Sequence, residues 1–304
     1  MDGILNFYKP VGITSHDAVN ILRRIMNTKK IGHIGTLDPM ACGVLPMLVG
    51  NATRISEYLI EHDKEYLVEL TLGVRTNTFD KEGKPISSSD KNVSSDEIVN
   101  TFNKFVGIIQ QTPPMFSSKK VKGKKLYELA REGIEIERDP STVEIKKIDI
   151  IRIIENKKIV FKVKCSKGTY MRSLCDDIGI SLGTFGYMSY LQRVKVGNFN
   201  IENSLSHEAL KKLISQEKSY EFLMPMDEAI SEMKKIEVNK NQFSKLRNGN
   251  KIHLENIYSA DLNNLFRVYS NGLFIGIGRI TIEKNQTYLV MKKVLIGDNI
   301  GENK

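Results

Sequence analysis

The pattern of apolar and polar positions changes period several times along the chain, and each change marks an element. Ile4 to Tyr8 reads as a short strand, closed by Lys9-Pro10-Val11-Gly12. Thr14 or Ser15 then caps a helix whose apolar residues Ala18, Val19, Leu22 and Ile25 share one face. An apolar segment covers Val44–Val49 and a second helix about Ala52–Ile60. Glu65–Val74 is alternating and β-branched and reads as a strand, Ser87–Ser95 as a polar loop, and Asp96–Val106 as an amphipathic helix. Ile145–Val163 holds two strands around the turn Glu155-Asn156-Lys157-Lys158. Tyr170–Leu182 is a helix with Met171, Leu174, Cys175 and Ile178 on one stripe. Strands and helices mix without a regular βαβ repeat, so the expected class is α+β around a mixed, mostly antiparallel sheet.

The pattern shifts near residues 225–235. His207–Ile214 upstream is a helix, whereas Ile236–Val294 has short apolar runs between Gly and Asn turns, at 247–250, 270–272 and 284–286. That spacing suggests a small C-terminal β-barrel. The expected domains are therefore 1–230 and 231–304.

Composition adds direction. With 304 residues, 45 Lys+Arg against 36 Asp+Glu and a net charge of +9, the chain favours a polyanionic partner. No apolar run reaches the roughly 18 residues needed to span a bilayer, and the start lacks the basic and apolar regions of a signal peptide. Cys42, Cys165 and Cys175 form no CxxC pair, which argues against a disulfide framework or zinc site and fits a reducing cytoplasm. Gly276-Ile277-Gly278 lacks the third glycine of a dinucleotide fingerprint, and no GxSxG or HExxH is present.

The segment from Gly32 to Pro46 carries the sharpest chemistry. It sets one carboxylate, Asp38, between Gly35 and Gly43, with Pro39 pressing Asp38 toward an extended conformation. Such an acid is either a turn that caps its own backbone or a catalytic carboxylate. Tyr66 shares one strand face with Val68 and Leu70, as a core aromatic or as a platform for a nucleobase. Arg172 pairs either with Asp176, four residues on, or with Asp38. Lys119, Lys120, Lys122, Lys124 and Lys125, with Arg131 and Arg138, form a solvated basic loop or a grip on a nucleic-acid backbone.

Four blocks, in order, resemble the bacterial tRNA pseudouridine-55 synthases. They are Asn6–Ser15; Gly32–Pro39 with Gly43–Leu45; Tyr66 through Leu72–Asp80 to Gly83; and Gln111–Pro114 with Ser117, Lys119, Gly123, Tyr127 and Arg131, joined later by Cys165–Tyr170, Arg172 and Asp176-Asp177. Ile34 and Cys42 stand where family members often carry Thr.

The resemblance implies a pseudouridine-synthase domain, an RNA-gripping insert at about 111–140, and a C-terminal RNA-binding domain of the PUA type. It implies isomerisation of uridine-55 in the T-arm stem-loop of tRNA. The N1–C1′ bond breaks, the base turns, and C5 rejoins C1′ after the nucleotide is extruded from its stack. Asp38 is then the essential carboxylate, acting on C1′ or on the C2′ proton, with Arg172 holding its charge. Tyr66 stacks on the uracil and relays the C5 proton. His33 fills the space the uridine leaves. Lys9 and the lysine loop with Lys119 grip phosphates, and Tyr170 and Leu191 complete the substrate site. No cofactor, metal, membrane or obligatory protein partner is implied, and the expected form is a cytoplasmic monomer. Two rivals remain: a guide-RNA-dependent synthase, and a non-catalytic RNA-folding module.

Overall fold

The computed structural model describes residues 1–121, 123–216, 220–254, 262 and 264–296. The strands are β1 (Gly3–Lys9), β2 (Ile31–His33), β3 (Cys42–Val49), β4 (Lys64–Leu72), β5 (Val74–Thr76), β6 (Pro85–Ser88), β7 (Gly107–Gln111), β8 (Lys120–Val121), β9 (Lys124–Lys125), β10 (Ser141–Ile154), β11 (Lys158–Cys165), β12 (Gly186–Val196) and β13 (Phe199–Asn200). The helices among them are α1 (Ser15–Ile25), α2 (Ser56–Leu59), α3 (Ser95–Lys104), α4 (Leu126–Arg131), α5 (Met171–Leu182) and α6 (His207–Gln216). Beyond them come α7 (Met226–Ala229), β14 (Lys234–Val238), α8 (Lys240–Arg247), β15 (Ile252–His253), β16 (Leu265–Ser270), β17 (Leu273–Glu283) and β18 (Gln286–Val294). Among the described residues, no helix is long and apolar enough to cross a membrane.

The chain divides into two compact units, one of residues 5–47 with 59–220, the other of 1–4, 48–58 and 221–304. The larger unit is built on a nine-stranded sheet whose main path runs β1-β3-β12-β4-β11-β10-β7. Its central pairs, β12 with β4 and β4 with β11, are antiparallel, whereas β12 meets β3 in parallel. Alternation along β4 buries Tyr66, Val68 and Leu70, and they pack with Leu174, Cys175 and Ile178 of α5 in one apolar cluster. The three-residue turn Glu155-Asn156-Lys157 between β10 and β11 takes φ of 51° at both Glu155 and Asn156, a left-handed geometry that reverses the chain tightly.

Thr14 caps α1 through a reciprocal bond with Asp17. The second helix expected at 52–60 is instead a 3-10 segment, Gly50–Ile55, running into the single turn of α2. The Thr53 hydroxyl donates to the Gly50 carbonyl there, 2.8 Å away, competing with α-helical bonding. The strand expected to reach Val74 stops at Leu72, where Gly73 turns to a φ of 100°.

In the smaller unit a curled sheet runs β14-β16-β17-β18-β15 around Val238, Leu246, Ile252, Val268, Ile280 and Leu289. The turns read at 270–272 and 284–286 are its two tight hairpins, with Asn271 and Gly272 at φ of 51° and 73° and Lys284 and Asn285 at 48° and 62°. The Asn-rich segment at 247–250 follows α8, an element the turn spacing alone conceals.

Candidate active site

The Asp38 loop is held from three sides within the larger unit. Ser15, in the first turn of α1, accepts from the Leu37 amide at 2.9 Å and donates its hydroxyl to the Leu37 carbonyl at 3.0 Å. Arg193 on β12, 1% exposed, donates Nε to the Val44 carbonyl at 2.8 Å, Nη2 to Gly35 at 3.0 Å and Nη1 to Thr36 at 3.4 Å. The Ala41 amide closes a turn on the Asp38 carbonyl at 3.0 Å, and the Gly12 amide reaches the Pro39 carbonyl at 2.8 Å.

Gly43 makes this close packing possible. Its φ is 109°, and a Cβ there would lie 2.2 Å from the Arg193 carbonyl oxygen. Gly43→Ala is expected to cost about 2–4 kcal/mol, from backbone strain and overpacking together. Urea denaturation reads this directly, and a midpoint equal to that of the parent protein would contradict the packing described.

Arg172 lies in the first turn of α5 and meets Asp38 as a fork. Nε is 2.9 Å from Oδ2, and Nη2 is 3.1 Å from Oδ1. The guanidinium is buried, with 5% of the side chain exposed, while the Asp38 side chain is 31% exposed. The acid is thus open to a ligand on one side and gripped by a charge-assisted pair on the other. Nη2 also donates to the Phe116 carbonyl at 2.8 Å.

A second carboxylate, Asp80, lies 3.7 Å from Arg172 Nε and is 8% exposed. It is fixed by the Thr78 hydroxyl at 2.6 Å and the Glu82 amide at 3.1 Å. The pairing of Arg172 with Asp176, open in the sequence, is absent. Asp176 instead takes a two-point bond from Arg75, with both distances at 2.7 Å. Burial pushes the Asp176 carboxyl up, and the Arg75 guanidinium pulls it back down.

Tyr66 is 8% exposed. Burial pushes its hydroxyl up to about 12, against a smaller pull from Arg193, and the charge of Asp38 adds a minor upward effect. His33 is half-buried, and burial, then Arg193, then His16 push its pKa down, so the ring stays neutral near pH 7. Its Nδ1 is buried without a hydrogen-bond partner.

Lys9 corrects the expectation of a phosphate contact. It is fully buried, and its ammonium donates to the Pro10 and Ile13 carbonyls, each at 2.8 Å. Burial lowers its pKa to about 8. Lys9 therefore ties the strand to the turn that follows it. Alternation already puts it on the face of Leu5 and Phe7, both fully buried.

Tyr170 is half-buried at the start of α5, and Leu191 is buried on β12. Lys119 is half-buried and donates to the Ser141 hydroxyl at 2.7 Å. Of the two departures from the family pattern, Ile34 is buried, and Cys42 sets its sulfur 3.6 Å from the Tyr190 hydroxyl.

The basic segment has a small core of its own, Met115, Leu126 and Leu129, flanked by Phe116, Val121 and Ile136. Lys120-Val121 and Lys124-Lys125 pair as a short ribbon, and the ring of Tyr127 takes Lys125 and Arg131 at 5.3 and 5.5 Å. Lys122 lies outside the described residues.

Sequence reasoning missed Arg193 as a support of the Asp38 loop. The available signal was its place two residues from Leu191 on one strand face, which makes an arginine there a buried one.

The chain is similar to known proteins along most of its length. Residues 23–171 match a model described as TruB family pseudouridylate synthase (N terminal domain). Residues 172–231 match the tRNA pseudouridylate synthase B C-terminal domain, and 235–285 match pseudouridine synthase II TruB, C-terminal. The tRNA pseudouridine synthase B of Clostridium tetani is 44% identical over 93% of this chain and 97% of its own. That of Alkaliphilus oremlandii is 44% identical over 97% and 99%. A crystal structure of a Cbf5-Nop10-Gar1 complex contains a chain 26% identical, with a TM-score of 0.74 over 97% of this chain and 85% of that one. The mixed α+β sheet and the curled C-terminal sheet accord with these matches, and the chain belongs to the TruB family of pseudouridylate synthases.

Proposed function

We propose that this chain isomerises uridine-55 in the T-arm loop of tRNA to pseudouridine, with Asp38 as the essential carboxylate. The observation that carries the reading is the Asp38–Arg172 fork, in which a solvent-open acid is aimed by a buried cation. The N1–C1′ bond breaks, the uracil turns, and C5 bonds to C1′. The C5 hydrogen leaves as a proton and N1 gains one, so the product is an isomer and the electrons balance within the substrate. Asp38 acts on the ribose, at C1′ or at the C2′ hydrogen, and either role gains from an ionised oxygen fixed in place. Arg172 supplies that fixed charge without rearranging during the reaction.

Tyr66 offers its ring for stacking and a protonated hydroxyl to the uracil. With a pKa of about 12 its phenolate is only about one part in ten thousand at pH 8. The hydroxyl therefore passes the C5 proton on as a relay rather than storing it. Tyr66→Phe keeps the ring and is expected to slow isomerisation by about 10²-fold or more while RNA affinity holds. Single-turnover rates on a T-arm stem-loop read this, and a normal rate leaves Tyr66 with stacking alone.

The basic segment 111–140, with Lys119 and Arg131, grips the phosphates, so affinity falls as salt rises. Residues 1–230 form the catalytic domain and 231–304 the PUA-like RNA-binding domain. The junction of two family models between 231 and 235 supports that division. The protein works as a monomer in the cytoplasm, where its free, buried cysteines stay reduced.

Release of tritium from a stem-loop labelled at uridine C5 tests the reaction. Release by the purified chain alone also separates this reading from guide-dependent action. RNA binding without release would overturn it in favour of an RNA-folding module.

A further inference from the structure

We propose that Gln111 is a positioning residue for Arg172, holding the start of α5 from the strand that leads into the basic segment. The inference rests on the reading of Arg172 as the clamp on Asp38. Helix α5 has Tyr170 as its N-cap residue and no side-chain cap of its own. A helix start leaves backbone donors without internal partners, and a cap side chain normally supplies the missing bond.

Here one of those donors, the amide of the N-cap residue Tyr170, is met from β7, 59 positions away in sequence. Gln111, 1% exposed, accepts from the Tyr170 amide through Oε1 at 2.8 Å and donates Nε2 to the Tyr170 carbonyl at 3.1 Å. One buried amide thus engages both backbone groups of the residue that starts the helix.

Two further bonds run from the same strap to the same turn. The Ser173 hydroxyl donates to the Thr112 carbonyl at 2.8 Å, and Arg172 Nη2 donates to the Phe116 carbonyl at 2.8 Å. Between them Pro113 and Pro114 fix the chain, and Arg138 donates to the Pro113 carbonyl at 3.2 Å. The strap therefore ends in an oxygen that shares a guanidinium nitrogen with Asp38. Phe116 also packs on the small core of the basic segment.

A shift of that segment on RNA phosphates and a turn of the Arg172 fork are thus mechanically one event, with Gln111 as the fixed end. Loss of the Gln111 amide frees the helix start and misaims the fork, without touching the phosphate-binding lysines. Its effect falls on the rate of isomerisation rather than on RNA affinity.

Single-turnover tritium release from a T-arm stem-loop tests this. Failure of the unsubstituted protein would overturn the isomerase reading; the ratio of variant to parent tests Gln111. Gln111→Ala is expected to slow release by about 10- to 100-fold, with stem-loop affinity within about threefold. In an Arg172→Lys background the same change is expected to cost less than about threefold, because the fork it aims is already gone. A parent-like rate, a loss confined to affinity, or losses that multiply in full in the double variant would each overturn the inference. Should Gln111→Ala not fold, Ser173→Ala removes only the Thr112 bond. It is expected to slow release several-fold with the same non-additivity against Arg172→Lys, and full additivity would again overturn the proposal.

Discussion

Asp38→Asn is expected to bind a T-arm stem-loop within about threefold of the parent affinity while isomerisation falls by on the order of 10⁴-fold or more. The two halves have separate causes. Binding survives because the substitution is isosteric and the loop is held by groups other than the carboxylate. Ser15 holds Leu37, Arg193 holds Gly35, Thr36 and Val44, and the Ala41 amide closes on the Asp38 backbone. Arg172 also stays anchored, since the Phe116 carbonyl and Asp80 remain beside it and the asparagine oxygen still accepts. Chemistry fails because an amide neither attacks C1′ nor takes the C2′ proton. Filter binding and nucleoside analysis on the same preparation measure both halves, and appreciable turnover would remove Asp38 from the mechanism.

Arg172→Met is expected to damage both rate and stability. The rate falls by about 10³-fold, since the fixed charge beside the reacting acid is lost. Stability falls by about 2–4 kcal/mol, for a reason visible in the burial. Asp80 has 8% of its side chain exposed and would be left with no guanidinium 3.7 Å away, and the Phe116 carbonyl would lose its donor. Arg172→Lys is expected to recover part of the stability and little of the rate, because an ammonium carries the charge but not the planar fork that meets both Asp38 oxygens. Thermal melting and single-turnover rates separate the two. A Met variant as stable and as active as the parent would contradict the assigned role.

Much of the fold was legible because local chemistry and global structure agree. Thr14 and Asp17 form the capping box their spacing announces, Tyr66, Val68 and Leu70 share the buried face of β4, and the Asn-Gly turn at 271–272 closes a hairpin. The acid at Asp38 was legible for a different reason, since glycines and a proline fix its backbone whatever it packs on. What stayed hidden depends on contacts between distant segments. The sequence offered Asp176 as the near partner of Arg172, four residues along one helix. The fold turns the two side chains apart, Arg172 toward Asp38 and Asp176 toward Arg75. Gln111 looks like an ordinary strand-end residue until the start of α5 lies against it. Lys9 shows the reverse case, in which a charge was read as surface although its period placed it inside.

The most direct test incubates the purified chain, with no other protein or RNA, with an unmodified transcribed tRNA and separates the nucleosides by chromatography. The expected result is conversion of one uridine, at position 55, to pseudouridine. A tRNA that is bound yet returns every uridine unchanged would contradict the account.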